Sequence, residues 1–186
     1  MKTIPCLPAV VALATGLLAS CAAPPVAKVP VSFAASSADK SLSGQLLANV
    51  NSYRVAKGRN ALVRNPGLDR MAQEHCEFMR LNRGKFSVDG GRNVSHLGFE
   101  GRALKARSNL NITTLAENVA AAKTTSMPSF VRMWSNSKGH DYNMSANWTD
   151  TGIAVVVDQD GTVFATQLFG SPMMNRMEMA DRLHQY

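Results

Sequence analysis

Length, composition and charge already narrow the roles open to this chain. It has 186 residues, with 20 lysine and arginine residues against 13 aspartate and glutamate residues, a formal net charge of +7, and three cysteines. The length suits one soluble domain with its own core, and the positive excess favours anionic partners such as lipid headgroups or acidic glycopolymers. The basic residues are scattered and no recognition motif accompanies them, so we expect no nucleic-acid partner.

The first 20 residues have the pattern of an export signal. A basic start at Lys2 precedes an apolar run over residues 10–18, which is too short for a mature transmembrane helix of about 20 residues. The run ends in Leu18-Ala19-Ser20-Cys21, which resembles the lipobox of bacterial lipoproteins. We therefore predict a lipoprotein signal peptide over residues 1–20 and a lipid, such as palmitate, on Cys21. Ordinary secretory cleavage next to Cys21 is the alternative.

The predicted signal peptide and lipid attachment determine the expected localisation and the expected state of the cysteines. The protein is predicted to be exported and lipid-anchored to the bacterial cell envelope, at the outer membrane if the host has two membranes, because several acyl chains give a stable anchor. Cys6 leaves with the signal and Cys21 is acylated, so only Cys76 remains as a thiol. One cysteine cannot form an intramolecular disulfide, so the fold must depend on its core.

The exported part divides by composition into a tether, a domain and a tail. Residues 21–40 are rich in alanine, proline, serine and valine, which predicts a flexible tether reaching on the order of 50 Å. Residues 41–170 carry the periodic patterns of a folded domain. Residues 171–186 form a C-terminal tail that could be helical.

Helical patterns come first in the domain. Apolar residues recur at helical spacing from Leu42 to Tyr53, and Gly58 can end that helix in a left-handed conformation. The second helix is punctuated by Asn65 as N-cap, a proline in its first turn and Gly84 at its far end. A third helix is predicted from Met127 to Asn136, ending near Gly139.

The period then changes from helix to strand. Residues 152–158 and 162–169 are rich in β-branched and aromatic residues, and Gln159-Asp160-Gly161 between them is a hairpin signal. Helices followed by an antiparallel hairpin predict an α+β domain in which helices pack on a sheet.

Several short motifs occur in a fixed order along the domain. They are Asn51-Ser-Tyr-Arg54, the helix Ala72-Gln-Glu-His-Cys-Glu-Phe-Met79, Ser95-His96, Ala116-Glu117-Asn118, Trp134, Ser137-Lys-Gly-His140, Thr151-Gly-Ile-Ala-Val155 and Gln167-Leu-Phe-Gly170. In this order and spacing they resemble the CAP superfamily, also called the SCP-like domain, in its bacterial, cysteine-free branch. The resemblance covers about residues 42–170. It implies a three-layer α-β-α sandwich with a mainly antiparallel central sheet.

The resemblance also implies a central cleft with two histidines and a glutamate. The matching residues are His96, Glu117 and His140, and Asn118 would support the cleft. Two neutral imidazoles facing each other can bind Zn²⁺ or another divalent metal. If the protein is an enzyme, Glu117, His96 and His140 are its candidate catalytic residues, with Glu117 acting on a bound water.

One departure from the family pattern concerns the carboxylates. Many members place a second glutamate on the helix before the Gly-His motif, whereas this helix offers Ser129, Arg132 and Ser135. Asp141 is adjacent to His140 but is expected to point away from the cleft. A mechanism that needs two carboxylates would therefore lack one of them. This favours ligand or metal binding over hydrolysis.

Three other residues are interpreted as structural. His75 lies on the apolar face of its predicted helix and is expected to be a hydrogen-bonded core histidine. Cys76 is expected to be a small buried residue, and Trp134 part of the core.

Three functional hypotheses remain. The first is an envelope-anchored module that binds a lipid or a cell-envelope ligand in the His/Glu cleft, with or without metal. The second is a metal-assisted hydrolase acting on peptide, lipid or peptidoglycan. The third is an envelope-assembly or host-interaction protein that uses its basic surface and no pocket chemistry.

Overall fold

A computed structural model describes residues 35–86 and 93–172 of the chain. The signal peptide, Cys21, most of the tether, and residues 173–186 of the tail lie outside the described residues. Within the described ranges no helix is long and apolar enough to cross a bilayer. The elements in chain order are α1 (Ser37–Ala56), β1 (Val63–Arg64), α2 (Pro66–Leu81), α3 (Phe99–Leu110), β2 (Ile112–Ala122), α4 (Met127–Ser135), α5 (Lys138–Ser145), β3 (Asp150–Val157) and β4 (Val163–Pro172).

The described strands form a 4-stranded sheet in the order β1-β3-β4-β2. β3 and β4 make the predicted antiparallel hairpin, and Gly161 in its turn has a φ of 77°. β2 pairs antiparallel with β4 along most of its length. The short β1 runs parallel to β3, so the sheet is mixed, with the antiparallel pairs dominant.

Helices cover both faces of this sheet and confirm the α-β-α sandwich. On one face, here called the first face, α1, α4 and α5 bury Val50, Phe130 and Met144 against the sheet. On the opposite or second face, α2 and α3 bury Leu68 and Ala106. Strand alternation assigns side chains to the two faces, because successive residues of a strand point to opposite sides.

The first helix begins earlier than the sequence predicts. Residues up to 40 were expected to belong to the tether, but α1 starts at Ser37 because the Ser36 side chain accepts a hydrogen bond from the Asp39 backbone N–H and caps it. The other end is as predicted, with Gly58 in the left-handed region at φ 71°. The domain therefore extends a few residues beyond its predicted start.

Side chains cap the outer edge of β3 where β1 no longer covers it. Three consecutive outward backbone N–H groups of β3 donate to side chains of α1 and α2, at distances of 2.9–3.2 Å: Ile153 to Asp69, Val155 to Ser43 and Val157 to Asp39. Such caps satisfy edge groups that could otherwise pair with another chain. The extra turn at the start of α1 thus also protects the sheet.

Several elements were missed or misplaced by the sequence patterns. β1, α3, β2 and α5 were not predicted, and the predicted third helix was expected to end near Gly139. In the structure α4 ends at Ser135, and a separate helix, α5, begins at Lys138 with Gly139 inside its first turn. Gly139 was interpreted as the end of the third predicted helix, whereas it lies in the first turn of α5.

Gly152 of β3 is needed for the approach of α2 to the sheet. A Cβ atom at this position would overlap the backbone of Leu68 and Asp69 at the start of α2. We expect Gly152→Ala to lower the free energy of unfolding by about 2–3 kcal/mol, because a clash with backbone cannot be relieved by a side-chain rotation. Urea unfolding measures this.

The control for that measurement is Gly44→Ala in α1. A Cβ at Gly44 meets nothing within 4 Å, so this change should leave stability unchanged or raise it by up to about 1 kcal/mol. Equal stability for the two variants would contradict the close approach at Gly152.

Candidate functional site

A buried ion pair between Glu117 and Arg102 lies at the centre of the candidate site. Glu117 sits on β2 with its side chain on the second face and fully buried. Arg102 of α3 donates from Nε to Oε2 at 2.7 Å and from Nη2 to Oε1 at 2.8 Å. This two-pronged geometry matches the planar guanidinium to the carboxylate and is the strong form of such a pair.

His96 also contacts the same carboxylate. Its Nδ1 donates to Oε1 of Glu117 at 2.9 Å, because a carboxylate held by an arginine can only accept. The proton on Nδ1 leaves a lone pair on Nε2, and the ring is 53% exposed. A carboxylate behind the imidazole and a free Nε2 in front is the arrangement in which histidine binds metals or hydrogen-bond donors.

The loop that carries His96 is fixed by Arg102 as well. The guanidinium donates to the Leu97 carbonyl oxygen at 3.1 Å, and Gly98 enters α3 at a φ of 80°. One arginine therefore positions both the carboxylate and the loop beside it.

His75 of α2 completes the buried cluster. Its Nε2 donates to the Ser95 carbonyl oxygen at 2.7 Å and lies 3.7 Å from Oε1 of Glu117. Burial lowers the pKa of His75 to about 4, against the smaller opposing effect of the Glu117 charge. His75 is therefore neutral near pH 7. It is a hydrogen-bonded core histidine, as predicted, but it also borders the site.

The electrostatics of the cluster keep Glu117 ionised. Burial alone would raise the pKa of Glu117, but the hydrogen bond from His96, together with the charge and hydrogen bonds of Arg102, outweighs it and lowers the pKa below its ordinary value. A carboxylate that holds its proton so weakly is a poor general base near neutral pH.

His140 lies on α5. Asn118 lies on β2, with its side chain on the first face of the sheet. Asn118 donates from Nδ2 to the His140 carbonyl oxygen at 3.1 Å and accepts from Nδ2 of Asn143 at 2.9 Å. Burial, and after it the electrostatic effect of the nearby His96, lowers the pKa of His140. The structure thus brings His96 and Glu117 into contact and places His140 across the edge of the sheet.

α1 holds α5 at this edge. Arg54 is buried and donates from Nη1 to the carbonyl oxygens of Met144 and Ala146, at 2.5 and 2.9 Å. The Tyr53 hydroxyl donates to Asp141, so this carboxylate is engaged with α1. The Asn-Ser-Tyr-Arg motif therefore sets the position of the helix that carries His140.

An open cleft of about 320 Å³ lies beside the cluster, at the outer edge of β2. We call it the central cleft. Phe99 and Leu115 supply apolar walls, and His96, Glu117 and Asn143 supply polar groups. His140 is not among the described residues that line it. The shape suits a partly apolar ligand oriented by few polar contacts.

Metal ligands are sparse in the described ranges. Nowhere there do three or more His, Cys, Asp or Glu side chains come close enough to hold a metal ion. Glu117 has both oxygens occupied by Arg102 and His96. A divalent ion at this site would therefore have the two imidazoles of His96 and His140 as its protein ligands.

A family model for the cysteine-rich secretory protein family, CAP, matches residues 47–169. The match covers well over half of the chain and includes every residue of the cluster just described. The chain belongs to the CAP family.

Solved structures share this CAP fold at low sequence identity. An outer surface protein of Borrelia burgdorferi is 18% identical with a TM-score of 0.60, over 72% of this chain and 94% of that one. A cysteine-rich secretory protein of Staphylococcus aureus is 20% identical with a TM-score of 0.55, over 76% and 40% of the two chains. An extracellular protein with an SCP domain from Bacillus anthracis is 21% identical with a TM-score of 0.56, over 75% and 45%. A comparison with curated proteins found no match.

Sequence reasoning missed Arg102 in this CAP domain. The residue belongs to α3, a helix in which Ala106 is the one buried residue among those described. The sequence therefore has no apolar stripe that would predict this helix or its orientation. Without α3 in place, Arg102 is one more scattered basic residue. The missing second glutamate was the one available hint that the chemistry around Glu117 is unusual.

Cys76 and Trp134 are core residues, as predicted. The Cys76 thiol is fully buried and donates toward Oγ1 of Thr166 at 3.3 Å, and burial raises its pKa to about 12. A thiol this hard to ionise is not a nucleophile near neutral pH. Trp134 is buried and donates from its indole nitrogen to the Val119 carbonyl oxygen.

Proposed function

We propose that this CAP domain is an exported, envelope-anchored binding module whose central cleft holds a lipid or another cell-envelope ligand. The observation that carries the proposal is the Arg102–Glu117 ion pair beside the cleft. It uses both carboxylate oxygens. Burial opposes ionisation of Glu117, but the hydrogen bond from His96 and the ion pair with Arg102 together lower its pKa. Glu117 is the group that a hydrolase would use as a base, and here it acts as a fixed structural residue of the cleft.

The cleft residues support binding in two ways. Phe99 and Leu115 offer apolar contact to a ligand. His96 presents Nε2, and its orientation is fixed from behind by Glu117. A preorganised polar group costs little to order when a ligand binds, which raises affinity.

A divalent metal such as Zn²⁺ is an optional component of this proposal, with two imidazoles as its protein ligands. His96 has its Nε2 lone pair free and a carboxylate partner on Nδ1, and the lowered pKa of His140 keeps that imidazole neutral near pH 7. Bound there, the metal would supply a positive charge for an anionic ligand group. His96 and His140 would hold it and Glu117 would orient His96.

The envelope location is supported by the sequence and by the named relatives. The Leu18-Ala19-Ser20-Cys21 segment resembles a lipobox, and the similar solved structures are named as outer surface, secretory or extracellular proteins. Metabolic labelling with an alkyne fatty acid tests the anchor. Label on the wild-type protein that disappears in Cys21→Ala supports it, and an unlabelled wild-type protein contradicts it.

Ligand binding is tested by titrating the protein with a fatty acid, a phospholipid and a muropeptide. We expect at least one to bind, and Phe99→Ala to weaken it at least tenfold by removing an apolar wall. Leu104→Ala is the matched control, because Leu104 is an exposed apolar residue on the same helix outside the cleft.

Two outcomes would count against the binding module. Failure of the whole panel to bind would leave a surface role without pocket chemistry. Release of product from a panel ligand, lost in Glu117→Gln, would favour the hydrolase.

A further inference from the structure

The outer edge of β2 differs along its length in how its backbone groups are satisfied. Past Leu115, side chains cap the outward carbonyls: Asn143 donates to Glu117 at 3.3 Å and Trp134 donates to Val119 at 3.2 Å. The edge of β3 is capped in the same manner by side chains of α1 and α2. Among the described residues, no side chain caps the backbone of Leu115.

The register shows that the Leu115 backbone groups point outward. Leu115 pairs with Gly170 of β4, and the Gly170 carbonyl accepts from Thr149 N on the side of β3. Leu115 and Gly170 are therefore a pair that exchanges no hydrogen bonds. The N–H and C=O of Leu115 face the same side as the capped Glu117 carbonyl two residues later. Thr113 and Thr114 beside them are exposed.

Two depressions flank this uncapped edge on opposite faces of the sheet. The central cleft lies on the second-face side, where Leu115 points. A second depression of about 520 Å³ lies on the first-face side and includes Arg59, Thr114, Tyr142 and Trp148 in its lining. We call it the Arg59 depression. Side chains of an added strand alternate between faces, so they would enter the two depressions in turn.

The charges at this edge favour an acidic ligand. The Arg59 guanidinium donates to the Asn147 amide oxygen at 3.1 Å, and no described carboxylate pairs with it. On the other side, the carboxylate of Glu117 is already neutralised by Arg102. Arg59 therefore remains as a cation that complements a carboxylate.

We propose that β2 takes up a short acidic peptide as an added strand along residues 113–117. This rests on the proposed binding role of the central cleft and names its ligand class. Main-chain hydrogen bonds to the N–H and C=O of Leu115 and to the N–H of Glu117 hold the peptide, as in other cases of strand addition. The Asn143 cap on Glu117 ends the site, so it spans about 10 Å, or three to four residues.

The alternation fixes which side chains suit each position. Apolar side chains enter the central cleft against Phe99 and Leu115, and acidic side chains enter the Arg59 depression. The probe is therefore acetyl-Val-Glu-Val-Glu-Val-amide, whose β-branched residues also favour the extended conformation. It is titrated by calorimetry into the full chain, with backbone amide shifts followed by NMR.

Leu115→Pro and Leu115→Ala form the decisive pair of variants. Both remove the leucine side chain, but only proline removes the outward N–H, and no bond to β4 is lost because that N–H faces away from it. We expect Leu115→Pro to bind the probe about tenfold more weakly than Leu115→Ala. Equal affinity of the two variants, at matching thermal midpoints, would overturn the proposal.

A modified probe gives the same test without changing the protein. Methylating the peptide nitrogens of the central valine and its neighbours removes their donors, and we expect at least a tenfold loss of affinity. The wild-type chain should bind it more weakly than the unmodified probe even if Leu115→Pro does not fold. Unchanged affinity would contradict strand addition.

Matched substitutions test the role of the Arg59 charge. Arg59→Gln should weaken the glutamate probe several-fold and leave a probe with lysines in place of the glutamates unaffected or tighter. Arg107→Gln, on α3 and lining neither depression, is the control for the change in net charge. Equal effects of the two substitutions would contradict a carboxylate site at Arg59.

The remaining outcomes separate this inference from the proposed function. Binding of the fatty acid or muropeptide without any peptide binding would overturn strand addition and leave the binding module standing. Binding of a tetramer of N-acetylglucosamine, weakened by Tyr142→Ala while the peptide does not bind, would assign the Arg59 depression to glycans instead. No binding by any probe would contradict both proposals.

Discussion

Arg102→Leu is expected to lower the free energy of unfolding by about 3–5 kcal/mol at pH 7. The substitution leaves the fully buried Glu117 carboxylate without the cation that binds both of its oxygens, and an uncompensated buried charge costs this much. Domains of this size have total stabilities of about 5–15 kcal/mol, so the variant would be close to unfolding. Urea denaturation with an unchanged dependence on denaturant concentration measures the loss.

A second substitution shows whether the loss comes from the charge. Adding Glu117→Gln to Arg102→Leu removes the buried carboxylate, so the double variant should recover a large part of the lost stability. Arg107→Leu on the same helix is exposed in the structure and should change stability by less than about 1 kcal/mol. If Arg102→Leu behaves like Arg107→Leu, the ion pair does not stabilise the fold.

The same ion pair links stability to function in this domain. Arg102 also holds the Leu97 carbonyl oxygen, so it fixes the loop that presents His96 to the central cleft. The carboxylate then sets the tautomer of His96 from behind. Arg102 and Glu117 are thus positioning residues for the cleft, and their removal should disturb His96 before any ligand is added.

Local signals explain which helices and strands could be predicted. α2 begins with a capping asparagine at Asn65 and a proline in its first turn. It ends at Leu81, and the left-handed Gly84 follows three residues later. The hairpin between β3 and β4 has Gly161 in its turn between two β-rich runs. In each case one or two residues fix the backbone without help from distant contacts.

β2 and α3 could not be predicted in the same way, because their signals are tertiary. β2 is rich in alanine and carries Glu117 and Asn118 at its centre, where a strand pattern calls for apolar alternation. These polar residues are stable there because Arg102 and α5 satisfy them. α3 in turn buries little of its own surface. The two elements that build the site are the ones whose sequences look least regular. A family motif, Ala116-Glu117-Asn118, pointed to the site residues of β2, whereas no motif pointed to α3.

The pH dependence of stability should report the burial of His75. The residue is 2% exposed, and its pKa falls from an ordinary 6.5 to about 4 on folding. Between these two values the unfolded chain binds a proton that the folded chain does not. Stability from this residue is therefore fully present above pH 6.5, is lost as the pH falls through the window, and does not fall further below pH 4. The shift corresponds to about 3 kcal/mol.

His75→Gln isolates that contribution. Glutamine can still donate to the Ser95 carbonyl oxygen but does not titrate, so its free energy of unfolding should fall less steeply between pH 6.5 and 4 than that of the wild type. The lowered pKa of His140 acts in the same direction and remains in both proteins, so it cancels in the difference. The lowered pKa of Glu117 cancels apart from the part that His75 contributes. Urea unfolding at half-unit pH intervals should show the curves converging by about 3 kcal/mol toward acid pH. Parallel curves would mean that His75 takes up its proton at the same pH in the folded and the unfolded chain, which would contradict a pKa lowered by burial.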